Sequence, residues 1–237
     1  MSRVKPMPDE AQADPLWVRF STGLSDIWLR HGFRPIPTSS GVGVLRDLAE
    51  TTQLVAYDVG DLTPEHVTVS IELGVWSHRL LKMRTSTGGD WHVRDAHWWN
   101  VLADLMPGET GHLWWTVMIA NFEVGISSHA ELAETTILPI LGNLDTDAAL
   151  VKAWRSGGRM AGLDRRGDRG TNAVRLAEMA GGPKLAQAVA HDMEVVAERA
   201  RRNRPVAVAK IRQLLESLPF DAEFIEASPD DEATNKT

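Results

Sequence analysis

Residues 67–75 alternate between apolar and polar side chains, and this alternation constrains the fold more than any other feature of the sequence. The apolar positions are Val67, Val69, Ile71, Leu73 and Val75, and those between them are Thr68, Ser70, Glu72 and Gly74. Successive side chains of a strand point to opposite faces, so the pattern predicts a strand with one buried and one polar face. Shorter β-rich runs precede it between residues 42 and 59. Because short polar turns separate these runs, we expect an antiparallel sheet.

Helical patterns lie on both sides of the predicted strands. Residues 14–31 carry apolar side chains at helical spacing, start with a capping Asp14 and end before Gly32. Residues 122–141 predict a second long helix. Three further helical stretches follow residue 170, and a break at Gly181, Gly182 and Pro183 separates the first two. The predicted fold class is therefore α+β: an antiparallel sheet flanked by helices, with a helical C-terminal extension.

Charge is distributed unevenly along the chain, whose net charge is −7. Residues 1–151 carry −9, residues 152–212 carry +8 and residues 213–237 carry −6. An asymmetry of this size indicates surfaces with different roles. The alternative is that the acidic and basic parts attract each other within the fold or across a dimer.

Composition and hydropathy divide the chain into segments and exclude several classes of protein. The predicted segments are a mobile leader (1–13), an α+β domain (14–150), a helical extension with an Arg/Gly-rich connection (151–226) and an acidic disordered tail (227–237). The chain has no cysteine, which excludes disulfide scaffolds, thiolate metal sites and a cysteine nucleophile. No run approaches the roughly 20 apolar residues of a membrane span, and the first residues lack the apolar run of a signal peptide. We therefore expect a cytoplasmic protein with no membrane partner.

Five short motifs carry a resemblance to a protein family. They are LRHGF at 29–33, QLVA at 53–56, LGVW at 73–76, Trp114, and ILPIL at 137–141. In this order the chain resembles the family named domain of unknown function 4304 over roughly residues 14–155. The family is similar in outline to small bacterial proteins that bind partners in conflict between bacteria or with phage. The resemblance implies a binding role and supplies no catalytic residues.

The loop around residue 95 holds the only grouping with the residue types of a chemical site. His92, Asp95 and His97 place two imidazoles and a carboxylate within six residues, which are groups that ligate metals or transfer protons. The ligand spacing matches no known metal motif. We therefore regard the three as weak catalytic candidates and expect no metal and no cofactor. The alternative is a polar loop whose histidines cap backbone groups.

Tryptophan is concentrated in the middle of the chain, where residues 76–115 hold six of the nine. The binding candidates are the adjacent pairs Trp98, Trp99, Trp114 and Trp115. On a strand, adjacent side chains point to opposite faces, so one ring of a pair on a strand points away from the main core. Such a ring is either covered by the helices that follow or available to a partner, since tryptophan is common among binding anchors.

Arginines are concentrated after residue 151, and Arg165, Arg166 and Arg169 lie among glycines. Arginine neutralises phosphates, but it also pairs with carboxylates at protein interfaces. Because the whole chain is acidic and shows no nucleic-acid-binding motif, we favour a protein contact. The sequence thus predicts a non-enzymatic protein-binding module, with a conflict setting implied by the resemblance. The alternative is an enzyme or a nucleic-acid-associated accessory protein that uses the loop around Asp95 and the basic segment 152–175. The oligomeric state stays open.

Overall fold

A computed structural model of the protein describes residues 15–38, 41–83, 93–106, 115–157, 159–162, 168–199 and 204–217. Its helices are α1 (Pro15–Leu29), α2 (His78–Lys82), α3 (Leu102–Leu105), α4 (Phe122–Leu132), α5 (Leu138–Gly142), α6 (Asp147–Ser156), α7 (Arg169–Arg199) and α8 (Arg204–Ser217). A π-helical turn, Ala133–Ile137, joins α4 to α5, so these two form one continuous helical segment. The predicted leader and tail lie outside the described residues.

The strands form one antiparallel sheet. They are β1 (Arg34–Thr38), β2 (Gly41–Asp47), β3 (Thr51–Leu62), β4 (His66–Ser77), β5 (Trp98–Val101) and β6 (Trp115–Met118). β1 to β5 are neighbours in chain order, and β6 also pairs with β4. β5 lies opposite residues 72–75 and β6 opposite residues 66–69, so both occupy the same edge of β4. The predicted α+β class, with an antiparallel sheet, flanking helices and a helical C-terminal region, is confirmed.

The alternating strand is β4, and its apolar residues face the main core as predicted. The opposite face is also covered, which the sequence did not indicate. Ser70 and Glu72 on that face are each only 5% exposed. A 3-10 turn, Val93–Asp95, contacts β3 and β4 there. Gly74 permits this approach, because a Cβ atom at that position would lie 3.0 Å from Val93 Cγ2.

One hydrophobic cluster connects the sheet to the C-terminal helices. Leu73 of β4, Leu150 and Trp154 of α6, and Val189 of α7 all belong to it and are fully buried. The boundary predicted after residue 150 therefore falls inside α6, a helix that contributes to this shared core. Burial of apolar surface is the main stabilising term in folding, so a shared cluster couples the stability of the two parts.

Candidate functional site

A groove of about 690 Å³ opens between α6 and the two halves of α7. Its apolar walls include Val151, Leu176, Ala180, Leu185, Val189 and Val196. Leu185 keeps 39% of its surface exposed although it lines the groove. Cavities of this size with apolar walls are typical of binding sites. The groove is therefore the candidate functional site.

The groove exists because α7 is broken and α6 has two apolar faces. Gly182 adopts a positive φ of 73°, a conformation that costs glycine little, and Pro183 follows it, where proline suits the start of a new helical segment. This break separates residues 169–181 from residues 183–199. On α6, Leu150 and Trp154 enter the core, whereas Val151, the next residue after Leu150, lines the groove.

A charged rim surrounds the apolar walls. Arg155 of α6 donates from Nε to Asp192 Oδ2 of α7 at 2.7 Å, so an ion pair bridges the two helices that form the groove. Both side chains are more than a third exposed, which limits the stability that this pair supplies. Lys152 and His191 are exposed and also line the groove. An apolar floor with a polar rim matches the usual anatomy of a protein interface.

Asp147, at the start of α6, is a lining residue of the groove, and its carboxylate is buried. Its side chain is only 7% exposed, both carboxylate oxygens are almost inaccessible to solvent, and the Ser77 side chain hydrogen-bonds to the carboxylate. Arg79 Nε lies 3.4 Å from Oδ2. Burial raises the pKa of the Asp147 carboxyl, and the carboxylate of Glu50 adds to the rise, while Ser77, Arg79 and His78 oppose it. The environment as a whole thus disfavours the charged form.

Thr52 of β3 has an aspartate and a histidine as neighbours, as a nucleophile would, but its hydroxyl proton points to the carboxylate and not to the imidazole. Thr52 Oγ1 lies 2.7 Å from Asp47 Oδ1 and 3.0 Å from His78 Nε2. A carboxylate only accepts, so the threonine hydroxyl donates to Asp47 and His78 must donate to the threonine oxygen. His78 cannot remove a proton from Thr52 in this arrangement. Thr52 is also buried, so the group is a structural connection between β2, β3 and α2.

A second polar group lies inside the main core. The Tyr57 hydroxyl accepts from Trp28 Nε1 at 2.5 Å and lies 2.6 Å from His129 Nε2. Burial lowers the pKa of His129 to about 4 and raises that of the Tyr57 hydroxyl. All three side chains are fully or almost fully buried. They have the residue types of an acid–base site but no access for a substrate.

The described residues do not form the predicted histidine site. His97 is buried, and its Nδ1 accepts from the backbone N–H of Ser77 at 3.0 Å. That contact corresponds to the alternative interpretation, in which the histidine caps a backbone group. Asp95 ends the turn Val93–Asp95, and His92 lies outside the described residues. Among the residues that are described, no three histidine, aspartate or glutamate side chains are grouped as metal ligands would be.

Two of the four predicted tryptophan anchors, Trp98 and Trp99, are buried in the structure. Trp98 and Trp99 are 1% and 2% exposed and point to opposite faces of the sheet, both of which are covered. Trp98 donates from Nε1 to the Met160 carbonyl at 2.8 Å, which ties β5 to the segment after α6. Neither ring is available to a partner. Trp115 is partly buried and contacts the His129 ring, and Trp114 lies outside the described residues.

Several basic side chains of the region 152–212 make internal contacts where the structure describes them. Arg169 donates from Nη1 to the carbonyls of Ala161 and Gly162, at 3.2 and 2.9 Å. Ion pairs among the described residues of this region include Arg155 with Asp192, Lys210 with Asp168, and Arg212 with Glu194. Arg165 and Arg166 lie outside the described residues. These ion pairs connect helices within residues 152–212, so they do not test whether the acidic and basic parts of the chain attract each other.

Comparisons with known proteins find no match to this chain. No family model, no curated protein and no solved structure matches the chain. The resemblance to domain of unknown function 4304 therefore stays a prediction. Across the described ranges, no helix has both the length and the hydropathy that crossing a membrane requires.

The sequence analysis did not identify the groove. The break at Gly182 and Pro183 was visible, but it indicated only a turn between helices. Asp147 follows Thr146, whose hydroxyl accepts from the Ala149 N–H, and this capping pattern could have been found. That capping pattern predicts where α6 begins. It does not predict that α7 lies opposite α6 and closes the groove.

Proposed function

We propose that the protein is a binding module whose groove receives the apolar face of an amphipathic helix from a partner protein. The observation that carries this proposal is the open groove with walls formed by Val151, Leu176, Leu185 and Val189. Apolar side chains repeating every three or four residues along a partner helix would enter such a groove. Their burial supplies the affinity, at about 25 cal/mol per Å² before the cost of association is subtracted.

The rim supports a protein rather than a polyanion as the partner. Arg155 is paired with Asp192, so charges of both signs are present on the rim, together with the exposed Lys152. A nucleic acid requires a continuous positive surface, because its affinity comes largely from phosphate neutralisation. A partner helix with mixed charges on its flanks matches this rim. A bacterial or phage conflict setting, implied by the resemblance, is part of the proposal.

The test uses site-specific photo-crosslinking in cells that express the protein. A photo-reactive amino acid replaces Leu185 in the groove, and a matched variant carries it in place of Val124, which is 66% exposed on α4. We expect one partner to be crosslinked through position 185 and not through position 124. A peptide covering the crosslinked segment should then bind the purified protein.

A groove-filling variant decides whether the peptide occupies the groove. Ala180→Phe places a large side chain in the wall, and we expect it to weaken peptide binding at least about tenfold in calorimetry. Val124→Phe is the control and should leave affinity unchanged. Peptide binding that is the same in Ala180→Phe and in the wild-type protein would contradict the proposal.

A further inference from the structure

Lys152 is an exposed cation on the face of α6 that lines the groove. Ala148, Val151, Lys152 and Arg155 follow one another at intervals of three and four residues, which places them on one face of the helix, and all four line the groove. The Lys152 side chain is exposed, so a bound partner can reach it. Long basic side chains keep the charged end in water while their methylene groups cover apolar surface, here that of Val151.

The acids that line the groove do not offset the charge of Lys152. Asp192 accepts from Nε of Arg155 at 2.7 Å and also contacts Nη2 of the same guanidinium, so its charge is already matched. The carboxylate oxygens of Asp147 are almost inaccessible, and their ion-pair contact is with Arg79. No described carboxylate forms an ion pair with Lys152. The accessible part of the rim therefore has an uncompensated positive charge at this residue.

We infer that the partner helix carries aspartate or glutamate beside its apolar side chains, and that one of these carboxylates contacts Lys152. This inference rests on the proposed function. A helix that inserts its apolar face into a groove brings the residues flanking that face to the rim. A carboxylate at this place attracts Lys152, whereas a basic side chain is repelled, so the rim selects between partner helices. His191 of α7 does not change the sign of the rim, because an imidazole is either neutral or positive.

Two designed peptides test the sign of the charge that the groove selects. Both are alanine-based amphipathic helices with leucine at alternating intervals of three and four residues. One carries glutamate on both flanks of the leucine face, and the other carries lysine at the same positions. Each is titrated into the full-length, isotope-labelled protein near pH 7 and about 0.15 M salt, where exposed charges more than about 8 Å apart are largely screened. Amide shifts of α6 and α7 give the affinities.

We expect the glutamate peptide to bind about tenfold more tightly than the lysine peptide, because attraction replaces repulsion at Lys152. The matched variants are Lys152→Glu and Arg30→Glu, which change the net charge of the protein equally. Arg30 is exposed just after α1 and is not a lining residue of the groove. Lys152→Glu should reverse the preference, and Arg30→Glu should preserve it.

Amide spectra of each variant establish that it is folded. This inference alone is overturned if the wild-type protein binds the two peptides equally or prefers the lysine peptide, or if the preference for glutamate survives Lys152→Glu. Failure of both peptides to shift groove amides counts against the proposed function as well.

Discussion

The Tyr57 hydroxyl lies 2.6 Å from Nε2 of His129 and joins the central strand β3 to helix α4 inside the core. A third residue, Trp28, completes the hydrogen bonding of this hydroxyl. Trp28 Nε1 can only donate, so the Tyr57 oxygen accepts from Trp28 and its proton goes to His129. Burial lowers the pKa of His129 to about 4, so this imidazole is neutral at pH 7 and can accept that proton. One hydroxyl thus connects α1, β3 and α4.

Replacing Tyr57 by Phe should destabilise the protein by about 1–3 kcal/mol. The substitution keeps the ring but leaves the Trp28 N–H and the His129 nitrogen buried without their shared partner. Urea unfolding measures the change. Thr116→Ala on β6 removes an exposed hydroxyl and is the control, expected to cost less than about 0.5 kcal/mol. Equal costs for the two variants would show that the buried network contributes little.

His129 should make stability depend on pH below neutrality. Burial lowers its pKa from 6.5 to about 4, so between these values the unfolded chain binds a proton that the folded protein does not. Stability is therefore fully present above about pH 6.5 and falls as pH decreases towards 4, by about 3 kcal/mol in total. Denaturant midpoints measured across this range should fall less steeply in His129→Gln. Parallel profiles for the variant and the wild-type protein would contradict the assignment.

Replacing Glu72 should destabilise the protein, although Glu72 occupies one of the polar positions of the alternating strand. It is buried and accepts from Arg94 Nη2 at 2.7 Å, and this contact raises the pKa of Arg94. We expect Glu72→Ala to cost about 1–3 kcal/mol, since Arg94 loses its main partner. Ile71→Ala should cost about 2–5 kcal/mol through the cavity it leaves. Chemical denaturation measures these changes in unfolding free energy, and Thr68→Ala on the same face as Glu72 is the control. If Glu72→Ala lowers the unfolding free energy no more than Thr68→Ala does, the prediction is wrong.

Asp147→Asn should stabilise the protein at neutral pH and have little effect in acid. The folded protein raises the pKa of this carboxyl, so its contribution to stability is fully present below the unfolded pKa, about 3.9, and is lost as pH rises through the folded value. An amide removes the penalty of the buried charge. Thermal unfolding at pH 7 should therefore occur at a higher temperature in the variant, with the difference shrinking towards pH 4. A lower unfolding temperature at pH 7 would mean that the contact with Arg79 outweighs burial.

Local patterns in the sequence were sufficient for several elements of the fold, although they did not identify β5 or α6. The alternation of residues 67–75 predicted β4 and its core-facing side chains, because strand periodicity depends only on the chain's own geometry. The start of α1 at Pro15, the turn at Gly32 and the break at Gly182 were visible for the same reason. Short turns implied an antiparallel sheet, and the sheet is antiparallel.

What covers each face was decided only by tertiary structure. The alternation places Glu72 at a polar position. The turn that carries Arg94, more than twenty residues later in the sequence, covers Glu72 in the structure. Trp98 and Trp99 were predicted as binding anchors. In the structure β5 pairs with β4, and this pairing places the two rings on opposite faces of the sheet, both of which are covered. The groove likewise requires α6 and both halves of α7 to meet. Such contacts depend on the relative placement of distant segments, whereas periodicity, capping and turn residues report only the local conformation of the chain.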